Sequence, residues 1–117
     1  MRTRALLAAL LITIAAAPLL ADARDDAKKQ VQFGIAVAQR SLWGEALLRF
    51  QRAVQIDPTY AAAYNNLAIG YEHLGEFDNA REMYEKALRL DPDNASIMQN
   101  YELFKEINDR TNKPDGR

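Results

Sequence analysis

Between residues 61 and 94 the apolar positions recur at helical spacing. Tyr64, Leu67, Ala68 and Tyr71 follow one another at steps of three and four, which places them in one stripe on one helix. Leu74-Gly75-Glu76 interrupts the stripe. Gly75 is placed to adopt the left-handed conformation of a C-terminal cap, since it has no Cβ to clash there. A second stripe of Phe77, Ala80, Tyr84, Ala87 and Leu88 then runs to Asp91-Pro92. The proline ring disfavours helical geometry at the preceding residue and stops the helix. The same punctuation occurs earlier in the chain and predicts helices over about 28–40 and 43–56, with Ser41 as a weaker break than Gly75. No stretch sustains the two-residue alternation of a half-buried strand, so the pattern predicts an all-α fold.

Residues 27–60 laid over 61–94 show that the pattern repeats every 34 residues. Ala27 meets Ala61, Ile35 meets Ile69, Ala46 meets Ala80, Ala53 meets Ala87, and Asp57-Pro58 meets Asp91-Pro92. Character persists where identity fails, as for Phe33 with Leu67, Gly34 with Ala68, Trp43 with Phe77, and Phe50 with Tyr84. A period of this length marks a stacked repeat architecture. Gly34 and Ala68 on the first helices, and Ala46 and Ala80 on the second, remove bulk where two backbones must approach, while Phe50 and Tyr84 fill the space beside them. A large residue at Ala80 is expected to overpack this contact by about 1–3 kcal/mol.

Tyr64, Leu67, Ala68, Tyr71, Gly75, Phe77, Ala80, Tyr84, Ala87 and Pro92 resemble the tetratricopeptide repeat almost position for position. The first unit is similar to a worn copy. Gly34, Ala46, Phe50, Ala53 and Pro58 match, while Gln30, Phe33 and Val37 stand in the opening aromatic, leucine and tyrosine slots. The resemblance implies a short α-α superhelix of two helix hairpins, 27–60 and 61–94, within a domain spanning 24–110. Asp93-Asn94 offers a further helix start, with Asn94 as N-cap, and a capping helix is expected over 95–110 with Met98, Tyr101, Leu103, Phe104 and Ile107 as its apolar residues. Residues 111–117 read as a disordered tail. Such arrays usually need about three units, so dimerisation, a bound partner or a good cap must make up the difference.

The first 23 residues belong to a different pattern. Met1-Arg2-Thr3-Arg4 is basic, Ala5–Ala17 is unbroken apolar sequence, and Ala21-Asp22-Ala23 supplies small residues at the spacing of a cleavage site. This order is that of a secretory signal peptide cut after Ala23. The alternative is an uncleaved membrane tether, for which the apolar run is barely long enough. Export predicts a periplasmic or secreted protein. Cleavage removes Arg2, Arg4 and Asp22 from a chain of 15 basic and 16 acidic residues, leaving 13 against 15 and a net charge of −2. Asp22 just before the cut, and Asp25 and Asp26 just after it, read as an acidic cluster that keeps a flexible leader in water, in preference to a cation site.

Charge and chemistry narrow the function. A near-neutral chain lacks the field that gathers nucleic-acid phosphates. With no cysteine there is no disulfide, thiolate metal site or thiol nucleophile. His73 is the one histidine and reads as a surface residue near a helix C-terminus. No phosphate-binding glycine loop, nucleophile elbow or paired-histidine motif occurs. The expectation is a non-enzyme without metal or cofactor; catalysis would require a site assembled between chains.

The resemblance implies that the first helix of each unit lines a concave groove. Ile35, Ile69 and Leu103 lie 34 apart as an apolar row, and Gln32, Asn66 and Asn100 run beside it with Asn65 and Gln99 adjacent. Amides can bond both donors and acceptors of an extended peptide backbone. Val31, Glu72 and His73 complete the candidate set. The bland alternative is that the apolar row merely packs between neighbouring helices. One subgroup of the family grips acidic chaperone tails with a clamp of basic residues and asparagines. Only Asn66 matches that clamp, the other positions being Val31, Ile35, Ser96 and Asn100, so an acidic tail is not expected. The leading reading is an exported adaptor that binds a peptide or partner protein. The alternative is a self-associating structural module, such as a homodimer, or a small assembly factor of a cell-envelope complex.

Overall fold

The structure, a computed structural model, describes residues 16–112, with side-chain environments for 19–110. Five helices follow one another: α1 (Ala16–Ala38), α2 (Trp43–Ile56), α3 (Ala61–His73), α4 (Phe77–Leu90) and α5 (Ala95–Asn112). Among the described residues there is no strand. α1 packs on α2 and α3 on α4 as hairpins, α2 joins the hairpins through α3, and α5 closes against α4.

The turns form as the local chemistry requires. Gly75 adopts φ 75°, and Ser41, at the corresponding place in the first hairpin, adopts φ 61°. Ser41 is thus the same left-handed cap made with a side chain, a conformation that disfavours any residue with a Cβ. α2 and α4 stop at Ile56 and Leu90, two residues before Pro58 and Pro92. Asn94 caps α5 by accepting the Ile97 backbone N–H at 3.1 Å.

The interior holds two apolar clusters. One gathers Ala27, Val31, Val37, Ala46, Leu47, Phe50, Ala53, Ala63 and Leu67; the other joins Ala68, Ala80, Tyr84 and Phe104. Small residues dominate because the helices approach closely, and one large ring per hairpin fills each remaining gap. Phe50 and Tyr84 are each only 1% exposed. A Cβ added to Gly34 would lie 2.5 Å from the Phe50 ring, closer than any real contact. Burial first, and then the bond it donates to Glu72, hold the Tyr84 phenol far above its ordinary range, so it stays a hydrogen-bond donor.

Several expectations change here. α1 begins at Ala16 and ends at Ala38 rather than covering 28–40. The supposed flexible leader at Asp22, Asp25 and Asp26 is helical, and Asp26 pairs with Lys29 at 3.3 Å. The alanine-rich sequence favours helix, and Arg24 ties this stretch to the loop between hairpins. Its guanidinium bonds Asp57 and Thr59 and lies 4.8 Å from the Tyr60 ring centre. The charged start and most of the apolar run of the expected signal lie outside the described residues, while the cut after Ala23 falls inside α1. α5 continues to Asn112, so the tail read as 111–117 begins in helix, and its remainder lies outside the described residues. Phe33 is 48% exposed although its counterpart Leu67 is 2%: α2 packs on α3 from the preceding hairpin, while among the described residues no helix precedes α1, and Arg49 lies over the Phe33 ring.

Asp57 makes that N-terminal tie sensitive to acid. Burial alone would push its carboxyl up, but hydrogen bonds from the Arg24 and Thr59 side chains and the Thr59 backbone, with the guanidinium charge, outweigh burial and hold it below its ordinary value. A depressed carboxyl contributes stability above its unfolded value of about 3.9 and loses it as pH falls through the lower folded value. Asp57→Asn should therefore cost about 1 kcal/mol at pH 7. Thermal melts should show the gap between wild type and variant closing below about pH 4.

Candidate functional site

α1, α3 and α5, the first helices of successive units, form one wall. α1 packs beside α3, and the Asn100 side-chain amide donates to Asn65 Oδ1 across 3.2 Å to link α5 to α3. Ile35 is 39% exposed and Leu103 56%, with Ile69 half-buried between them. Ile107, one turn beyond Leu103, is also 56% exposed. Ile35 and Leu103 stay open along the wall, while Ile69 between them packs in part against the second core cluster.

The structure treats the remaining candidates unequally. Val31 is 5% exposed and belongs to the first core cluster; helical geometry turns it toward α2. It is not a groove residue. Glu72 accepts the Tyr84 hydroxyl and is committed inside its own hairpin. Asn66 donates its amide nitrogen to the Ala62 carbonyl at 2.8 Å, which leaves its oxygen to face the groove as an acceptor. Gln32 and Gln99 are exposed, while Asn65 and Asn100 satisfy one another in part. His73 is exposed but not isolated. Its imidazole lies on the Trp43 indole with ring centres 3.6 Å apart and planes 5° from parallel.

Between α1, α2 and α3 the wall dips into a depression of about 290 Å³, lined by Ile35, Ala38, Gln39, Trp43, Phe50, Asn66 and Ile69. Three of these, Ile35, Asn66 and Ile69, were legible from the 34-residue rows. Ala38, Gln39, Trp43 and Phe50 were not, because they come from the end of α1 and from α2 and converge only through tertiary packing. The one usable sequence signal was Trp43 itself, whose counterpart Phe77 is 48% exposed. An aromatic ring at that slot does not need to be core.

The apolar face of α5 also differs from the expectation. Ile97, at 3% exposure, packs inward with Tyr101 and Phe104, whereas Met98 is 46% exposed. Ile97 and Phe104 are seven residues apart and share a face, which Met98 leaves. Glu102 and Lys105, at the slots where α3 carries Ala68 and Tyr71, bond each other at 2.8 Å on the far side of α5. A charged pair thus stands where the second unit has a small residue and an aromatic. Among the described residues no cluster of three or more histidine, cysteine or acidic side chains could hold a metal, and no helix is long and apolar enough to cross a membrane.

Comparison with known proteins agrees with this architecture. Residues 61–94 match the tetratricopeptide repeat family. The chain is 36% identical over 89 residues to the Type IV pilus assembly protein PilF of Pseudomonas aeruginosa, a match covering 74% of this chain and 35% of that protein. It is 35% identical over 64 residues to the mouse Protein O-mannosyl-transferase TMTC4, covering 55% of this chain and 9% of that one. The crystal structure of MamA superposes with a TM-score of 0.66 at 28% identity, covering 78% of this chain and 53% of that chain. The chain spans about a third or less of the length of these two curated relatives.

Proposed function

Because the chain carries the tetratricopeptide repeat, a protein-interaction module, we propose that it is a non-catalytic adaptor that binds a peptide or partner protein along the wall formed by α1, α3 and α5. The single observation that carries the reading is the open apolar row of Ile35, Ile69, Leu103 and Ile107, bordered by the amides of Gln32, Asn66 and Asn100, with the Glu106–Arg110 ion pair beside its α5 end. Large apolar side chains aligned on one exposed face, unlike singly scattered ones, mark an interaction surface. The amides of Gln32, Asn66 and Gln99 suit a backbone with few ionised side chains.

The test uses Asn66→Asp combined with Leu103→Asp, both partly or well exposed, in affinity capture of the chain from its own host. Loss of the captured protein with an unchanged helical circular-dichroism spectrum is the expected result. Capture by the double variant at wild-type yield would refute the groove.

The second reading is placement in an envelope assembly. It draws on the signal-like start of the sequence and on the likeness to a protein named for type IV pilus assembly. Export predicts that the form recovered from the host begins at Arg24. Mass spectrometry finding Met1 retained would turn the reading toward a tethered protein.

A further inference from the structure

We propose that the depression between α1, α2 and α3 is an anchor pocket that takes one bulky uncharged side chain, aliphatic or aromatic, from a neutral partner segment. The inference rests on the groove reading and specifies its centre. Size sets the first limit. A cavity of about 150 Å³ accommodates benzene and a liquid water occupies about 30 Å³. A space of about 290 Å³ therefore has room for one large side chain with some of its backbone.

Chemistry sets the second limit. Ile35, Ala38, Trp43, Phe50 and Ile69 make the walls and floor, and no ionisable side chain lines the space. Gln39 and Asn66 are its polar groups, suited to a backbone N–H and carbonyl. The pocket is also preformed. Phe50 is wedged against Gly34, and the stack on His73 holds the Trp43 ring flat. A rigid wall lowers the ordering cost of binding.

Comparison of the repeats explains why the pocket is there. Moved 34 residues along, Ala38 becomes Glu72, Phe50 becomes Tyr84 and Trp43 becomes Phe77. In the second hairpin the Glu72 carboxylate reaches across and accepts the Tyr84 hydroxyl. Alanine and phenylalanine can make no such bridge, and the corresponding space in the first hairpin stays open. Ala38 and Phe50, the residues that differ from the bridged pair, both line the open space of the first repeat.

The test uses two probes, N-acetyl-leucine methylamide and N-acetyl-aspartate methylamide, titrated into the full chain. The leucine probe should bind with a dissociation constant on the order of millimolar, the strength available to so few atoms. Saturable amide shifts should appear at Ile35, Gln39, Asn66 and Ile69, with a change in emission from Trp43, the one tryptophan. The aspartate probe should give neither. Ala38→Leu, which fills the space, should weaken the leucine probe at least tenfold; Ile35→Trp fills it from the exposed rim and serves if Ala38→Leu fails to fold. Absence of saturable shifts, equal response to both probes, or normal probe binding by a folded filled variant would overturn the pocket. Partner capture that is lost in Asn66→Asp with Leu103→Asp yet normal in Ala38→Leu would leave the groove standing and the anchor refuted.

Discussion

Phe50→Ala should lower stability by about 3–5 kcal/mol, the range for truncating a fully buried aromatic ring. The ring is 1% exposed and lies against both Gly34 and Gly70, so it serves both hairpins at once. Its loss leaves a hole bounded by helix backbones, which cannot collapse without moving α1 or α3. Native stabilities are commonly 5–15 kcal/mol, so this substitution should remove a large share of the total. Urea denaturation followed by circular dichroism measures it. A loss below about 1 kcal/mol would mean that the hairpins do not share the ring as described.

Gly34→Leu should be nearly as damaging for the opposite reason. Even a Cβ at this position would lie 2.5 Å from Phe50 Cε1 and 2.8 Å from Cδ1. The ring is only 1% exposed, and moving it would mean pushing it into the depression that it floors. The intrinsic gain from replacing glycine within a helix is about 1 kcal/mol, while overpacking costs about 1–3 kcal/mol and more for a larger insertion. A net loss of about 2 kcal/mol or more is expected. The two changes occupy the same space, so they should not add. The double variant Gly34→Leu with Phe50→Ala should be more stable than the sum of the singles by about 1–2 kcal/mol, within the range for residues in contact. Strict additivity would show that the close approach is not between these two residues.

Gly34 also illustrates how much was legible beforehand. Its lack of a side chain pointed to a close approach, and the Phe50 ring of α2 stands where a Cβ would be, with Ala46, Ala68 and Ala80 fully buried. The stops at Pro58 and Pro92 and the cap at Asn94 were equally readable, since each depends on a backbone rule that acts within a few residues. Ser41 shows the limit of local reading. Its left-handed conformation follows from the geometry demanded by the hairpin and not from any preference of serine.

The groove divides in the same way. A 34-residue spacing placed Ile35, Ile69 and Leu103 in a row, since equal intervals in a regular stack map to one line on its surface. It could not tell Val31, turned into the core, from Gln32, turned outward. Nor could it anticipate that Glu72 would be held by Tyr84 or that His73 would lie on Trp43. Those outcomes depend on which side chain reaches across to a neighbouring helix.

Sequence alone determined the periodic helices, their ends and the small residues at their crossings, because these obey rules that act within a turn or repeat exactly at 34 residues. Tertiary structure alone decided the tie of α1 to the loop between hairpins through Arg24 and Asp57, the exposure of Phe33, and the open space over Phe50. Each of these depends on what a neighbouring segment places, or fails to place, beside a residue whose own identity is silent on the matter.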